Sequence, residues 1–530
     1  MFLRVTASNL LRKLRFPSSH SFSFSEKFKL FSGYQTQTSG WRVLNQRDPF
    51  LWILISGHVA TGLAISSNTV FAEDETTRAS SANDSGSGLI GLSKVEDGSV
   101  VSNIHTAKWR LFTDKAREFF LQGKLDEAEK LFLSALEQAK EGFGQRDPHV
   151  ASASNNLAEL YRVRRAFDKA EPLYLEAINI LEESFGPDDI RVGTAAHNLG
   201  QFYLGQRKME KARLNYERAL KIKRRVLGYG HSECADTMYH LGVVLYLQGK
   251  ERDAEALIQD SIKMLEEGDE GESTVCIRRL RYLSQMYLKS HRLADAEMIQ
   301  RKILHIMELS KGWNSLDTVV AAESLALTLH ASSNIKDSKE LLERCLNARK
   351  ALLPGDHIQI CGNLLHLARV AMLDFSQHKK LDVSRAKDEL DMARDHLHNS
   401  IRIARQRLDK LSKQKERSKK YSAPGDSRKE RHAALIILLQ SLSTLSSVEF
   451  AKQELQKTQE GNINLEAKEA LLQCISVYKE FAHDKLIADS PEIKNEYLSC
   501  LKRAQKLVGN YKLDEELDNQ KDFQNLNQKS

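Results

Sequence analysis

The sequence predicts an all-α solenoid of about seven helix-turn-helix units, followed by a C-terminal helical extension. The main observation is a leucine that recurs every 42 residues, which is typical of stacked supersecondary units. In such an array each unit buries its apolar face only against its neighbours. A second observation is that small residues recur in register with this leucine. The repeated leucines are Leu157, Leu199, Leu241, Leu283, Leu325 and Leu367.

Each unit predicts two antiparallel helices, because apolar residues three and four apart share one helix face. In the unit that contains Leu157 the shared positions are Leu157, Ala158 and Tyr161 on the first helix and Ala170, Tyr174 and Ala177 on the second. Small residues at these positions let the two helices approach closely. The equivalent small residues in later units are Gly200 and Gly242 on first helices and Ala212, Ala254 and Ala296 on second helices.

These motifs resemble the tetratricopeptide repeat, and the 42-residue period resembles its kinesin-light-chain variety. The closest likeness lies in the segments NNLAELY (155–161), DKAEPLYLEAINI (168–180) and DPHVA (147–151). The resemblance covers residues 107–410, with an additional early unit at 115–139. We interpret the chain as a plant organelle-targeted member of this family, with the repeat array over residues 105–410.

The resemblance implies that the first helices line a concave groove that takes an extended peptide. In the family the residue before each repeat leucine points into the groove. The residues before the six repeat leucines are Asn156, Asn198, His240, Tyr282, Ser324 and His366, and Asp114 holds the equivalent place one period earlier. Further along the same helices, Arg162 and Gln201 would add charge and polar contacts. The predicted partner-binding residues are Asn156, Arg162, Asn198, Gln201, His240 and Tyr282.

The groove hypothesis rests mainly on two asparagines, Asn156 and Asn198. An amide offers a donor and an acceptor together, which suits the unpaired backbone of a peptide strand. Asn156 and Asn198 match the family's backbone clamp, and the later units lack the asparagine, which indicates a short site over the second and third units. In the alternative interpretation both amides satisfy helix-helix contacts.

Residues 1–49 predict an organellar transit peptide. The opening segment MFLRVTASNLLRKLR predicts an amphipathic helix with a basic face, and residues 1–50 contain only two acidic side chains, Glu26 and Asp48. Such a composition is typical of transit peptides. The arginine-bearing start favours a mitochondrial address, in the inner membrane or the intermembrane space, with the chloroplast as the alternative.

An uncharged segment, FLWILISGHVATGLAISSNTVFA, follows at residues 50–72. It is long enough to cross a bilayer, so it predicts a membrane anchor. Two alternatives stay open: a second sorting signal that is cut after Ala72, and a buried helix of the folded domain. Residues 73–104 have the composition of a disordered linker.

The C-terminal third predicts three more helices over residues 433–509, which cap the apolar end of the array as terminal units must. A basic, polar run over residues 411–432 predicts a flexible linker, and residues 510–530 predict a disordered tail. The segment ALIILLQSL within the first of these helices is too short for a membrane span. The seventh unit departs from the pattern, because the insert HKKLDVSRAKDE delays its second helix.

The charge of the chain and the spacing of its cysteines bear on nucleic-acid binding, zinc binding and disulfide formation. The formal net charge is +7, and the basic run has few aromatic residues between its lysines, so base stacking on nucleic acid is not expected. The six cysteines form no CxxC pair and have no zinc-finger spacing. We therefore expect all six to be reduced. They are Cys234, Cys276, Cys345, Cys361, Cys474 and Cys500.

No catalytic constellation is visible in the sequence. It has no phosphate loop, no HExxH motif and no GxSxG elbow, so it predicts no catalytic residues, no metal ligands, no cofactor and no small-molecule substrate. The sequence instead predicts a non-enzymatic scaffold that binds a protein or peptide partner. The alternatives are a cytosolic cargo adaptor like kinesin light chain and a plastid assembly factor.

Overall fold

The computed structural model describes residues 104–379, 382–417, 426–456, 465–481 and 490–508, and these ranges hold seventeen α-helices and no strand. Fourteen of the helices form seven pairs. The pairs are α1 (Ile104–Leu121) with α2 (Leu125–Phe143), α3 (Pro148–Val163) with α4 (Phe167–Phe185), α5 (Ile190–Gly205) with α6 (Met209–Leu227), α7 (Ser232–Leu247) with α8 (Glu251–Glu267), α9 (Thr274–Lys289) with α10 (Leu293–Lys311), α11 (Leu316–Ala331) with α12 (Ile335–Leu352), and α13 (Ile358–His378) with α14 (Val383–Arg417). The remaining helices are α15 (Asp426–Gln456), α16 (Leu465–Phe481) and α17 (Pro491–Val508).

The predicted solenoid is confirmed, and its period is strict at the start of each first helix. The residue before the helix, with extended backbone, is an N-cap that recurs every 42 residues. At five of the six positions its side chain accepts a hydrogen bond from a backbone N–H of the first turn, as N-caps do. The N-caps are Asp147, Asp189, His231, Ser273, Ser315 and His357.

The turn inside each of the first six units is also periodic. One residue per turn has a left-handed backbone, and the next backbone N–H donates to the carbonyl five residues earlier, which is the Schellman geometry. In the third unit Arg207 has φ 58°, and Lys208 donates to Tyr203 at 2.9 Å. The equivalent residues are Gly123, Arg165, Arg207, Gly249, His291 and Ser333. Only two of them are the glycine that this conformation favours.

Small residues set the distance between the two helices of a unit. A Cβ placed on Gly242 would lie 2.7 Å from Ile258 Cγ1 and 3.1 Å from the Ala254 carbonyl, which belongs to the backbone of α8. A Cβ on Gly200 would lie 2.9 Å from the ring of Tyr216. The predicted close approach of the helices is therefore present at both glycines.

A hydrogen bond between a tyrosine and a glutamate links several neighbouring units. The tyrosine lies near the end of a first helix, and its hydroxyl donates to a glutamate on the second helix of the preceding unit, at 2.9 Å each time. The pairs are Tyr161 with Glu129, Tyr203 with Glu171, and Tyr287 with Glu255. The fourth unit lacks this hydrogen bond. Leu245 replaces the tyrosine there, and Arg213 replaces the glutamate on the preceding second helix.

An ion pair is buried within the sixth unit and is hydrogen-bonded to the seventh. Arg349 on α12 donates to both carboxylate oxygens of Glu323 on α11, at 2.6 and 2.7 Å, and to Asn363 Oδ1 on α13 at 3.1 Å. The Arg349 side chain is fully buried, and only 4% of the Glu323 side chain is exposed. A buried pair of this kind depends on both partners, since either charge alone would be left without compensation.

The C-terminal helices pack on the seventh unit, as expected. Helix α15 contacts α13, α14, α16 and α17. The linker predicted at 411–432 is corrected at both ends, because α14 continues to Arg417 and α15 begins at Asp426. The physical reason is that α14 and α15 pack along each other, and this contact favours helix at both ends of the polar run. Much of the segment predicted as an insert, residues 378–389, is also helical, because α14 begins at Val383. Residues 418–425 lie outside the described residues, as do the predicted leader, anchor and tail.

One helix among the described residues, Lys429–Leu455, is long and apolar enough to span a membrane by length and composition. The apolar segment ALIILLQSL, which is too short for a span by itself, lies inside this longer helix. However, 83% of its most apolar window is buried inside the protein. This burial is typical of a core helix, and it explains the apolar composition without a membrane.

The expectation that all six cysteines are reduced was also wrong. Cys474 on α16 and Cys500 on α17 form a disulfide, and their Cα atoms are 6.5 Å apart. The pairing has no spacing signature, because the packing of α16 against α17 brings the two residues together. The other four cysteines are free and buried, as expected.

Replacing Gly242 with valine should destabilise the array by about 1–3 kcal/mol, because the added side chain must displace Ile258 or the backbone of α8. The matched control is Gly205→Ala, since a Cβ at Gly205 meets nothing within 4 Å. This control should be neutral or stabilising by up to about 1 kcal/mol, because alanine costs less chain entropy in a helix. The midpoint of urea unfolding measures both, and equal midpoints would contradict the packing role of Gly242.

Replacing Arg349 with methionine should destabilise the protein by about 3–5 kcal/mol, because Glu323 would stay buried without its partner. The neighbouring exposed residue gives a control on the same helix, since Lys350→Met should change stability by no more than about 0.5 kcal/mol. Chemical unfolding followed by circular dichroism compares them. An Arg349→Met variant that unfolds like Lys350→Met would show that the ion pair does not stabilise the fold.

Candidate partner-binding face

The six predicted partner-binding residues all lie on first helices, and their exposure differs. Asn156 on α3 is fully buried and Asn198 on α5 is 5% exposed. The side chains of Arg162 and His240 are 13% and 21% exposed. Gln201 and Tyr282 are half-buried. The surface left for a partner therefore lies mainly on α5, α7 and α9, whose partly exposed residues we call the first-helix face.

The asparagines take part in contacts between units. The Asn198 side-chain nitrogen donates to the Asn155 side-chain oxygen at 3.1 Å, and this bond joins α5 to α3. Asn156, beside Asn155, presents no surface. The Asn198 amide therefore holds two neighbouring first helices together. This agrees with the alternative interpretation of the sequence, in which the asparagines satisfy helix-helix contacts.

Arg162 is held by a buried carboxylate. Its Nε donates to Glu159 Oε2 at 2.9 Å, and Glu159 is fully buried. The Tyr174 hydroxyl donates to the other oxygen of the same carboxylate. Burial, together with the Glu159 charge, raises the pKa of Tyr174 well above its ordinary value. This cluster ties α3 to α4, so Arg162 has little freedom to reach a partner.

A polar cluster spans α5 and α7, and we call it the His-Asp-His cluster. Its members are His197, Asp236 and His240, and one ligand atom from each lies within 4.8 Å of the others. Asp236 Oδ2 lies 3.4 Å from His197 Nε2, and Oδ1 lies 3.8 Å from His240 Nε2. The Arg279 guanidinium donates to Asp236 Oδ1 at 3.2 Å.

Electrostatics keep the Asp236 carboxylate charged. Burial raises its pKa, but the neighbouring His240, His197 and Arg279 side chains outweigh that effect and lower the pKa to about 2. Burial also lowers the pKa of His197 well below its ordinary value, and the charge of Lys223 acts in the same direction. At neutral pH the cluster therefore presents a carboxylate beside a neutral imidazole.

Aromatic rings continue the face toward α9. The rings of Tyr239 and Tyr282 meet edge to face with centroids 5.8 Å apart, and Tyr246 meets Tyr282 in the same way at 6.1 Å. The Arg279 guanidinium lies over the Tyr239 ring at 5.4 Å. Burial and the two neighbouring tyrosines raise the pKa of Tyr282. These rings form a rigid surface against which an apolar or aromatic group can pack.

Reasoning from the sequence therefore found part of this face. It predicted Gln201, His240 and Tyr282, and the structure brings Gln201 and His240 together, with 3.5 Å between Gln201 Nε2 and His240 Nε2. It missed His197, Asp236 and Arg279. Asp236 and His240 are four residues apart on one helix, a spacing that signals a shared face.

Comparison with protein families identifies the repeat. The family model described as tetratricopeptide repeat matches three overlapping segments of the chain, residues 115–183, 149–225 and 191–267. These segments cover α2 to α8 and part of α1, and therefore include His197, Asp236 and His240. No curated protein sequence matches the chain.

Several solved structures are similar to this chain. BtubC (BKLC) from P. vanneervenii is 18% identical, with 47% of this chain and 93% of that one covered and a TM-score of 0.36. The nearly identical TPR-like repeats of Podosopora anserina are 17% identical, with 40% and 95% covered and a TM-score of 0.32. The quorum sensor NprR from B. thuringiensis, in its apo form, is 12% identical, with 71% and 89% covered and a TM-score of 0.36.

At these identities and TM-scores the solved structures identify neither a ligand nor a partner. The repeat itself is identified by the family model together with the helix pairs seen in the structure. Residues 115–267 of this chain are tetratricopeptide repeats, and the helix pairs that follow them continue the same 42-residue register.

Proposed function

We propose that this chain is a non-enzymatic scaffold that binds an extended peptide segment of a partner protein along the first-helix face of α5, α7 and α9. The observation that carries the proposal is the Asp236 side chain, which is 46% exposed beside the less exposed His197 and His240, at 7% and 21%. A charged group that is rigidly held yet open to solvent is suited to recognition rather than to packing.

The chemistry of the face suits a peptide backbone with one apolar side chain. Gln201 and His240 offer donors and acceptors to an unpaired strand. Tyr282, held by the rings of Tyr239 and Tyr246, offers an aromatic surface beside them. Because these groups are already fixed by their neighbours, a peptide would meet a site that needs little ordering, which favours affinity.

We further propose a mitochondrial address, in the inner membrane or the intermembrane space, with the chloroplast as the alternative. The composition of residues 1–49 supports the organelle, and the uncharged stretch 50–72 supports anchoring to a membrane. In this proposal the repeats hold a partner during assembly or maintenance of a complex. The competing proposal is a cytosolic cargo adaptor.

The face can be tested with a random peptide library displayed on phage and selected on the full-length chain. For peptides selected in this way, Gln201→Ala/Tyr282→Ala should weaken binding at least tenfold, because the variant removes a backbone contact and the aromatic surface. Isothermal titration calorimetry with the synthetic peptides measures the loss.

The control variant is Leu214→Ala/Met298→Ala, which changes two exposed residues on the second helices α6 and α10. It should bind the same peptides as the unchanged chain does. Circular dichroism should show the same helix content and melting temperature for all three proteins. Peptides that lose affinity only with the control variant would place the binding surface on the second helices.

The address can be tested by protease protection of the full-length chain with a C-terminal tag in fractionated cells. We expect the tag to be shielded in intact mitochondria and digested after rupture of the outer membrane, since that places the repeats in the intermembrane space. A tag that is recovered in chloroplasts would support the plastid alternative. A cytosolic tag that sediments with microtubules would overturn the organellar proposal.

A further inference from the structure

The His-Asp-His cluster has the composition and spacing of a metal-ligand set. His197 comes from α5, while Asp236 and His240 come from successive turns of α7. Ligand atoms bound to one tetrahedral metal at 2.0–2.2 Å lie roughly 3.3 Å apart. The distance from His197 Nε2 to Asp236 Oδ2 is 3.4 Å, and the distance from His240 Nε2 to Asp236 Oδ1 is 3.8 Å. The three ligand atoms lie within 4.8 Å of one another, so the side chains would have to draw together by up to about 1.5 Å to bind one metal.

The partner of the other His197 nitrogen orients this ring. His197 Nδ1 lies 3.0 Å from Thr237 Oγ1, and Thr237 Oγ1 donates its proton to the Glu233 carbonyl at 2.9 Å. With its only proton used, the hydroxyl accepts from His197 Nδ1–H. The unprotonated Nε2 then faces the Asp236 carboxylate, so two lone pairs point at each other and a cation between them would bind both. Ligating histidines in metal sites are oriented in this way by a second hydrogen bond.

Gln201 supplies a second, independent observation. Its side-chain oxygen Oε1 is buried and has no hydrogen-bond partner among the described residues. Its nitrogen Nε2 lies 3.5 Å from His240 Nε2. Because the two ends of an amide have nearly the same shape, rotating the amide would place Oε1 beside His240 Nε2. There the oxygen would serve as a fourth ligand, while Nε2 would take the buried position that Oε1 now occupies.

Two cationic side chains lie close to the cluster, and each is paired. Arg279 donates to Asp236 Oδ1 and to Ser261 Oγ, at 3.2 and 2.7 Å. The Lys223 ammonium lies 3.1 Å from a Glu233 carboxylate oxygen. The positive charges of Arg279 and Lys223 are balanced by the negative charges of Asp236 and Glu233. Because Arg279 bonds Asp236 Oδ1, the other oxygen, Oδ2, stays available to bind a metal. Carboxylates that bind metals are commonly hydrogen-bonded on their other oxygen.

The ligand set selects a class of metal. Two imidazoles suit zinc, copper and nickel, whereas magnesium and calcium need oxygen ligands and would find one carboxylate here. The absence of a thiolate from the cluster separates it from structural zinc sites built on cysteine. The accessible side of the cluster is the half-exposed Asp236, which opens on the first-helix face.

We propose that His197, Asp236 and His240 bind a borderline divalent cation such as Zn²⁺, with Gln201 as a fourth ligand. The site joins α5 to α7 and so fixes the third and fourth units against each other. Thr237 and Arg279 are positioning residues, because each holds a ligand without touching the metal. The site shares Gln201, Asp236 and His240 with the proposed peptide-binding face, and its test uses metal alone so that it stands or fails without any peptide.

The test is a titration of the full-length chain, first stripped with a chelator, with Co²⁺ and then Zn²⁺ as the probes. We expect Co²⁺ to give the strong visible absorption of a tetrahedral site, and Zn²⁺ to displace it. His197→Ala, Asp236→Asn and His240→Ala should each remove one bound equivalent. His305→Ala, an exposed histidine on the second helix α10, serves as the matched control and should remove none.

A variant that weakens metal binding only in part distinguishes a specific site from adventitious binding. Thr237→Val keeps the shape of a buried side chain but removes the acceptor for His197 Nδ1, so it should weaken Zn²⁺ binding about 10- to 100-fold without removing the site. Zn²⁺ should also raise the melting temperature of the unchanged chain and of His305→Ala, but not that of the three ligand variants.

Three outcomes would overturn the proposal. The first is a visible spectrum without tetrahedral bands. The second is the same number of bound equivalents in the unchanged chain and in the ligand variants. The third is a loss of binding in His305→Ala equal to that in His240→Ala, which would mean adventitious binding to surface histidines. Circular dichroism of each variant without metal separates loss of the ligand from loss of folding.

Discussion

The close approach of the two helices within each unit is the constraint on which the rest of the structure depends. A methyl group at Gly200 would meet the Tyr216 ring, and one at Gly242 would meet Ile258 and the Ala254 carbonyl, so the paired helices pack closely there. After α3, every first helix begins 42 residues after the previous one, and the helices of this series begin at Pro148, Ile190, Ser232, Thr274, Leu316 and Ile358. Caps, turns and the tyrosine–glutamate bonds follow the same register.

Strict stacking has a consequence for chemistry. Residues about 40 apart become neighbours on adjacent first helices, as Asn155 and Asn198 show, and Asp236 and Arg279. Each unit adds one or two polar groups to a common face, and no single unit carries a complete site. The His-Asp-His cluster arises in this way, since two adjacent units contribute its three ligands.

The polar residues on the first helices divide between packing and recognition, and burial decides between them. Asn156, Asn198 and Arg162 are largely enclosed by contacts with neighbouring helices. Asp236 and His240 keep surface open. A groove in a repeat protein therefore cannot be read as every polar residue at one register position. The same position is buried in one unit and half-exposed in the next because the flanking side chains differ.

The sequence by itself determined the helix pairs, their period, and the small residues at which the helices meet, because these depend on local periodicity and on side-chain volume. It also indicated His240 and Tyr282, through their place before the repeat leucine, and Gln201, which lies further along the same helix face. Only the tertiary structure decided that His197 faces Asp236, that Cys474 pairs with Cys500, and that Asn198 bonds Asn155. The physical reason is that these contacts depend on the rotation of each helix about its axis and on how neighbouring units stack, and neither is written in the spacing of residues along one helix.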